Sequence, residues 1–159
     1  MKFSAQEEYG LRCLIQIGLK GSATIPEISR DEGLSEHHTA KLLSILRKER
    51  FLNSTRGHIG GYRLARAPEK IVVGEVLAAL GGRLYDEEFC ERHSGLLSTC
   101  AHSGSCAVKS LWSEVQAAVD HVVSHITLAD LIANAQKEAE QLYKPRNGAL
   151  LSIPVASGT

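Results

Sequence analysis

Residues 26–64 read PEISRDEGLSEHHTAKLLSILRKERFLNSTRGHIGGYRL, and this stretch decides the fold. Pro26 suits the first turn of a short helix, and Gly33 suits its end. Leu34-Ser35 follows at once, with Ser35 as a good N-cap. Thr39, Leu42, Leu43 and Leu46 then repeat at helical spacing, while His37, His38, Lys41, Ser44 and Arg47 are expected to face away from that stripe. Two short helices joined by a glycine-containing turn form a helix-turn-helix, whose second helix enters the major groove of DNA. Phe51–Arg56 and Tyr62–Ala65 alternate around the glycine-rich tip Gly57–Gly61, as a β-hairpin does. A hairpin directly after a recognition helix is the wing of a winged helix.

Upstream, Ser4 and Glu7 fit a capping box, followed by the apolar run Tyr9, Leu11, Leu14, Ile15 and Ile17, with Gly18 and Gly21 ending the helix. Downstream, Ile71–Leu80 reads as an extended piece running into a helix that closes on Gly81-Gly82. Residues 83–106 read as irregular. Val108 to about Ser124 is amphipathic, with the stripe Val108, Leu111, Trp112, Val115, Ala118, Val119 and Val122. Thr127–Asp130 has the form of a capping box for a last helix reaching Tyr143. The expected class is mainly α with a small β-hairpin wing. Residues 1–82 would be the winged helix-turn-helix, 83–107 a cysteine-containing loop, 108–143 dimerisation helices and 144–159 a disordered tail. The long helix has more apolar surface than a small winged-helix domain covers, so a second copy is expected against it.

The 159 residues carry no net charge, with 18 Lys and Arg against 18 Asp and Glu, but the charge is unevenly spread. Residues 1–70 hold 12 bases and 8 acids, and residues 71–159 hold 6 and 10. Between Lys41 and Arg66, seven bases face the single acid Glu49. A basic patch on a neutral chain is the electrostatic footprint of a phosphate-backbone binder. Ser35, His37, His38 and Lys41 would approach base edges or phosphates from the start of the recognition helix, and Arg56 would reach the minor groove or a phosphate from the wing. No phosphate loop, nucleophile elbow or H-E-x-x-H motif is present, which argues against an enzyme. No apolar run approaches the roughly 20 residues of a membrane span. Two glutamates near the start argue against a signal peptide, so a cytoplasmic protein is expected.

In that compartment cysteines serve as metal ligands or redox centres rather than disulfides. Cys90, Cys100 and Cys106 are separated by nine and then five residues, among small flexible ones. Three such thiolates suit an iron–sulfur cluster, or less well zinc, because the paired C-x-x-C of a zinc ribbon is missing. His93 and His102 are nearby candidates for the fourth position. Cys13, inside the apolar run of the first helix, reads as a core residue.

Glu27-Ile28-Ser29, Leu34-Ser35, Leu46-Arg47-Lys48, Ser54–Gly57, Gly60–Leu64, Val73–Val76, the cysteine loop and Ile126–Leu131 together resemble the IscR/NsrR family of winged-helix transcription regulators over about residues 1–135. The resemblance implies a homodimer on double-stranded DNA, commonly a repressor. It further implies a 2Fe–2S or 4Fe–4S cluster on Cys90, Cys100 and Cys106 that senses redox, nitric oxide or iron and cluster status and sets operator affinity. Members of one type complete the cluster with a histidine at the position held here by Lys109. Others use an acidic residue early in the first helix of the other subunit, which corresponds to Glu8, the favoured fourth ligand ahead of His102. The first cysteine gap is longer than usual, and Ala40 replaces a base-reading glutamate, so a different operator is expected. The alternative is a cluster-free regulator whose cysteines form a zinc site or a thiol redox switch.

Overall fold

A computed structural model describes residues 4–55, 60–83, 85–86, 88–97, 99–102 and 105–143. The wing tip around Arg56 and the tail from 144 lie outside the described residues.

Helix α1 (Ala5–Lys20) opens on the expected capping box. The Glu7 N–H donates to Ser4 Oγ at 3.2 Å, and the Ser4 N–H donates to the Glu7 carboxylate at 2.7 Å. The helix ends at Gly21, whose φ of 74° suits glycine. Gly18 does not end it. Gly18 is a notch: a Cβ there would stand 2.4 Å from Cδ1 of Ile132. Gly10 is a second notch, filled by Leu80 at the same separation. Two helices thus seat against α1 where a glycine leaves room for their side chains.

Helix α2 (Ile25–Glu32) carries a second capping box, Thr24 with Glu27, beyond the expected Pro26 start. It closes on Gly33, left-handed at φ 66°. Helix α3 (Glu36–Lys48) follows, with Ser35 Oγ accepting from the His38 N–H at 3.2 Å. Thr39, Leu42, Leu43 and Leu46 are buried as the spacing predicts. The three leucines meet Cys13, Leu14 and Ile17 of α1 and Ile28 of α2 in one core.

Strands β1 (Leu52–Thr55) and β2 (Gly61–Leu64) pair antiparallel, Leu52 opposite Leu64 and Thr55 opposite Gly61. Ala23 adds a bridge to Tyr62, fastening the hairpin to the α1–α2 turn. A 3-10 turn (Pro68–Lys70) leads to α4 (Val73–Gly81), whose Val76 and Leu80 complete the core beside α1.

The later chain departs from expectation twice. The irregular region contains a short helix, α5 (Phe89–Arg92). Residues 108–143 also do not act as one unit. Helix α6 (Ala107–Ser124) lies along α4, with Val123 against Gly74, whereas α7 (Leu128–Tyr143) returns to the N-terminal core. The Leu128 N–H donates to the Ile71 carbonyl at 2.8 Å, Leu128 is buried, and Ile132 fills the Gly18 notch. The Thr127–Asp130 capping box holds its start, the Thr127 N–H donating to Asp130 Oδ2 at 2.9 Å.

Candidate nucleic-acid interface and thiol loop

On α3, His37, Lys41, Ser44 and Lys48 recur at helical spacing and are all exposed. They form one solvent-facing stripe opposite the buried leucines. Ser35 stands exposed at its start, its hydroxyl occupied in part by the cap.

His38 departs from the expectation that it faces away from the core. Its ring meets Tyr9 of α1 edge-on, centroids 5.8 Å apart and planes at 88°, and its Nε2 is buried without a hydrogen-bond partner. Tyr9 also receives the Arg12 guanidinium, 5.6 Å from its ring centre. His38 therefore ties the recognition helix to α1, while Ser35, His37 and Lys41 stay on the open face.

The described bases from Arg12 to Arg66 divide into two groups. Arg12 pairs with Glu32 at 2.5 Å, Lys20 and Arg30 pair with Asp31, and Arg66 pairs with Glu75 at 2.7 Å while lying over Phe51. Lys41, Arg47, Lys48, Arg50 and Arg63 are exposed and enter no ion pair among the described residues. The unpaired group lies on α3, the turn after it and β2. These are the surfaces that a helix-turn-helix and its wing turn toward phosphates. Arg66 drops out of the expected basic run because Glu75 neutralises it. Arg50 has φ 61°, a left-handed conformation usually given to glycine, and the sequence carries no signal of this.

The four cysteines also divide. All are free thiols. Cys13 is fully buried, and burial, reinforced by the nearby Glu32 charge, pushes its thiol up to about 12. It is an inert core residue, as expected. Cys90 on α5, Cys100 in the following loop and Cys106 at the N-cap of α6 are half-buried. The sulfur of Cys106 accepts from the Lys109 N–H at 3.3 Å. Cys90 and Lys109 line one open cleft of about 570 Å³ together with Arg83, Tyr85 and Asp86.

The loop is braced from both sides. Arg92 bonds both Asp86 oxygens, at 2.8 and 2.9 Å, and this hydrogen bonding holds the Asp86 carboxyl below the usual carboxylate range. The Tyr85 N–H donates at 2.9 Å to buried Gln116 of α6, which in turn donates to Asp120 at 2.7 Å. Glu8 is exposed in the first turn of α1, and His102 is exposed in the loop. Among the described residues no three His, Cys, Asp or Glu side chains are grouped closely enough to hold a metal ion. The donor set nevertheless suits a soft metal centre. Three free thiols share one loop with the imidazoles of His93 and His102. Among the described residues no helix is long and apolar enough to cross a membrane.

The Rrf2 family model, described as an iron-dependent transcriptional regulator, matches residues 3–134. The protein rrf2 of Nitratidesulfovibrio vulgaris is 33% identical over 138 residues, covering 85% of this chain and 89% of that protein. The HTH-type transcriptional regulator IscR of Sodalis glossinidius is 30% identical, covering 86% of this chain and 81% of its own. The solved structure of CymR, the global cysteine regulator of B. subtilis, superposes with a TM-score of 0.68 at 29% identity, over 84% of this chain and 98% of that one.

Proposed function

The chain belongs to the Rrf2 family of transcriptional regulators, and on that premise we propose that it is a homodimeric repressor whose operator affinity is set by an iron–sulfur cluster on Cys90, Cys100 and Cys106. Membership makes it a DNA-binding regulator rather than an enzyme. The finer reading rests above all on one observation: three free, half-buried thiols on a braced loop at the foot of α6.

Ser35, His37 and Lys41 read the major groove from the open face of α3, and Arg56 of the wing supplies the minor-groove or phosphate contact. Lys41 donates to guanine O6 and N7, and His37 donates or accepts. Arg47, Lys48, Arg50 and Arg63 hold phosphates and fix the register. The apolar stripe of α6 packs against the same stripe of a second copy. Two recognition helices then meet two half-sites about one helical turn apart.

When bound, the cluster supplies a redox-active centre that oxidants or nitric oxide destroy, and whose presence follows iron supply. The three thiolates draw the loop together, because ligands of a metal centre are gathered by the metal as they bind. The loop runs from Arg83, which pairs with Asp120 of α6 and lines a pocket shared with Glu7 of α1, to Cys106 at the α6 cap. Drawing it together would therefore bear on how α6 sits against the DNA-binding core and, through it, on the spacing of two recognition helices. The family resemblance assigns the fourth ligand to the partner's Glu8, with His102 behind it.

Iron, acid-labile sulfide and zinc per chain, measured on protein purified without oxygen, test the reading. Iron and sulfide in matching amounts are expected, with operator affinity changing when the cluster is destroyed. Zinc alone, or no metal with operator control retained, would replace it with a zinc site or thiol switch. That second reading draws on the ungrouped thiols and on the likeness to CymR.

A further inference from the structure

Among the described residues His93 and His125 have Nδ1 within reach of an oxygen, and His93 lies beside a cysteine of the thiol loop. His93 caps α5, three residues after Cys90. Residues so spaced lie on one face of a helical turn with Cβ atoms roughly 5–6 Å apart. Its Nδ1 is 2.7 Å from the Phe89 carbonyl oxygen. A carbonyl only accepts, so Nδ1 carries the proton, and Nε2 is left as the nitrogen whose lone pair can face a metal. A backbone carbonyl holding the far N–H is how proteins orient a metal-binding imidazole.

The ring is also fixed in rotation. It stacks on Phe89, centroids 4.2 Å apart and planes at 21°, and Phe89 in turn packs on Tyr85 at 5.1 Å. Arg92, between Cys90 and His93, anchors the turn to Asp86 and Glu88. The rival donors lack this preparation. Glu8 is exposed on a different helix, and His102 makes no ring hydrogen bond among the described residues. Lys109 presents an ammonium, which has no lone pair to give.

We propose that Cys90 and His93 form a chelating pair on α5, with His93 Nε2 as the fourth ligand of the cluster in place of the partner's Glu8. The inference rests on the cluster reading above. His93 donates a neutral lone pair and Cys90 binds as the thiolate, its proton passing to solvent, so forming the pair needs no oxidant or reductant.

The test is pulsed EPR on the full-length, anaerobically reconstituted and dithionite-reduced protein, grown with 15N-histidine, beside iron and sulfide analysis. A strongly coupled histidine nitrogen is expected in the wild type, in Glu8→Ala and in His102→Ala. It should vanish in His93→Ala and in His93→Cys. The latter variant keeps a ligand at the position, so iron and sulfide should stay at wild-type amounts while the nitrogen signal is lost. Folding of each variant is followed by far-UV circular dichroism. A cluster without nitrogen coupling, or with coupling that survives His93→Cys, would overturn the assignment and leave the cluster reading intact. Failure of the wild type to take up iron and sulfide would overturn both.

Discussion

The two regions flanking Gly82 use their apolar residues in opposite ways. In the first, together with α7, fourteen residues including Leu14, Ile17, Ile28, Leu43, Val76 and Leu128 close into one core. In the second, from Arg83 to His125, the one buried described residue is the polar Gln116. Val108, Leu111, Trp112 and Val122 of α6 stand exposed. The thiols repeat the contrast, Cys13 sealed and protonated, the loop cysteines free and half-open. An exposed apolar stripe of that kind marks a surface that another molecule covers. The first region is complete in one chain. The second leaves thiols and apolar side chains open, as expected of the region that the proposed cluster and a second copy would order.

Removing a thiol should break the second region while sparing the first. Cys100→Ser is expected to abolish iron and sulfide uptake altogether, with the helical circular dichroism of the core retained. Loss of the cooperative thermal transition in that variant would show that the loop supports the core and that the two regions are not independent. Next in size, Leu111→Glu places a charge in the middle of the α6 stripe. The variant should sediment as a monomer and bind a two-half-site operator about 100-fold or more weakly, since the second half-site is no longer tethered. A dimer unchanged by Leu111→Glu would move the interface off α6.

Within the first region the contrast sharpens to neighbouring residues. Lys41→Ala should weaken operator binding on the order of 10- to 100-fold, because a base-edge contact is lost. His37→Ala should change which base is preferred. His38→Ala should leave the preferred sequence alone and lower stability instead, by roughly 1 kcal/mol for an aromatic contact of this type. A binding-site selection experiment on the three variants separates them. If His38→Ala shifts base preference as His37→Ala does, the inward placement of His38 is wrong.

How much of this could be read beforehand depends on how local the signal is. Capping boxes are local, so Ser4–Glu7 and Thr127–Asp130 were legible, and so was the hairpin from its alternation around glycines. The Thr24–Glu27 box was hidden behind Pro26, which marks the same helix start one residue too late. Helix α5 has four residues, too few for any periodicity to register. Which body α7 joins is not a local property. Its apolar stripe suits a dimer interface as well as the core, and the room left at Gly18 together with the Leu128–Ile71 backbone bond decides. His38 was nearer to legible, because it stands four residues before Leu42 and thus at the edge of the buried stripe. The three loop cysteines were visible as donors. The orientation of His93 was not, because it depends on a carbonyl and a ring one turn away.

Arg50 gives the smallest expected effect and the most direct test of what the first region is for. It closes α3 with φ 61°, its N–H donating to the Arg47 carbonyl at 3.0 Å, and the Phe51 N–H donating to Leu46 at 2.9 Å. A side chain in that conformation costs about 1 kcal/mol or somewhat more relative to glycine. Glycine gives back part of the difference through its freer unfolded chain. Arg50→Gly should therefore stabilise the protein by a few tenths to about 1 kcal/mol in urea denaturation. The same change removes an unpaired base from the junction of recognition helix and wing. Operator affinity should fall for all sequences alike, with the slope of log affinity against log salt shallower by about 1. A gain in stability with an unchanged salt slope would mean that Arg50 touches no phosphate and that the DNA-facing surface ends at Lys48. A gain accompanied by the shallower slope would show strain retained at this turn for the charge it places there.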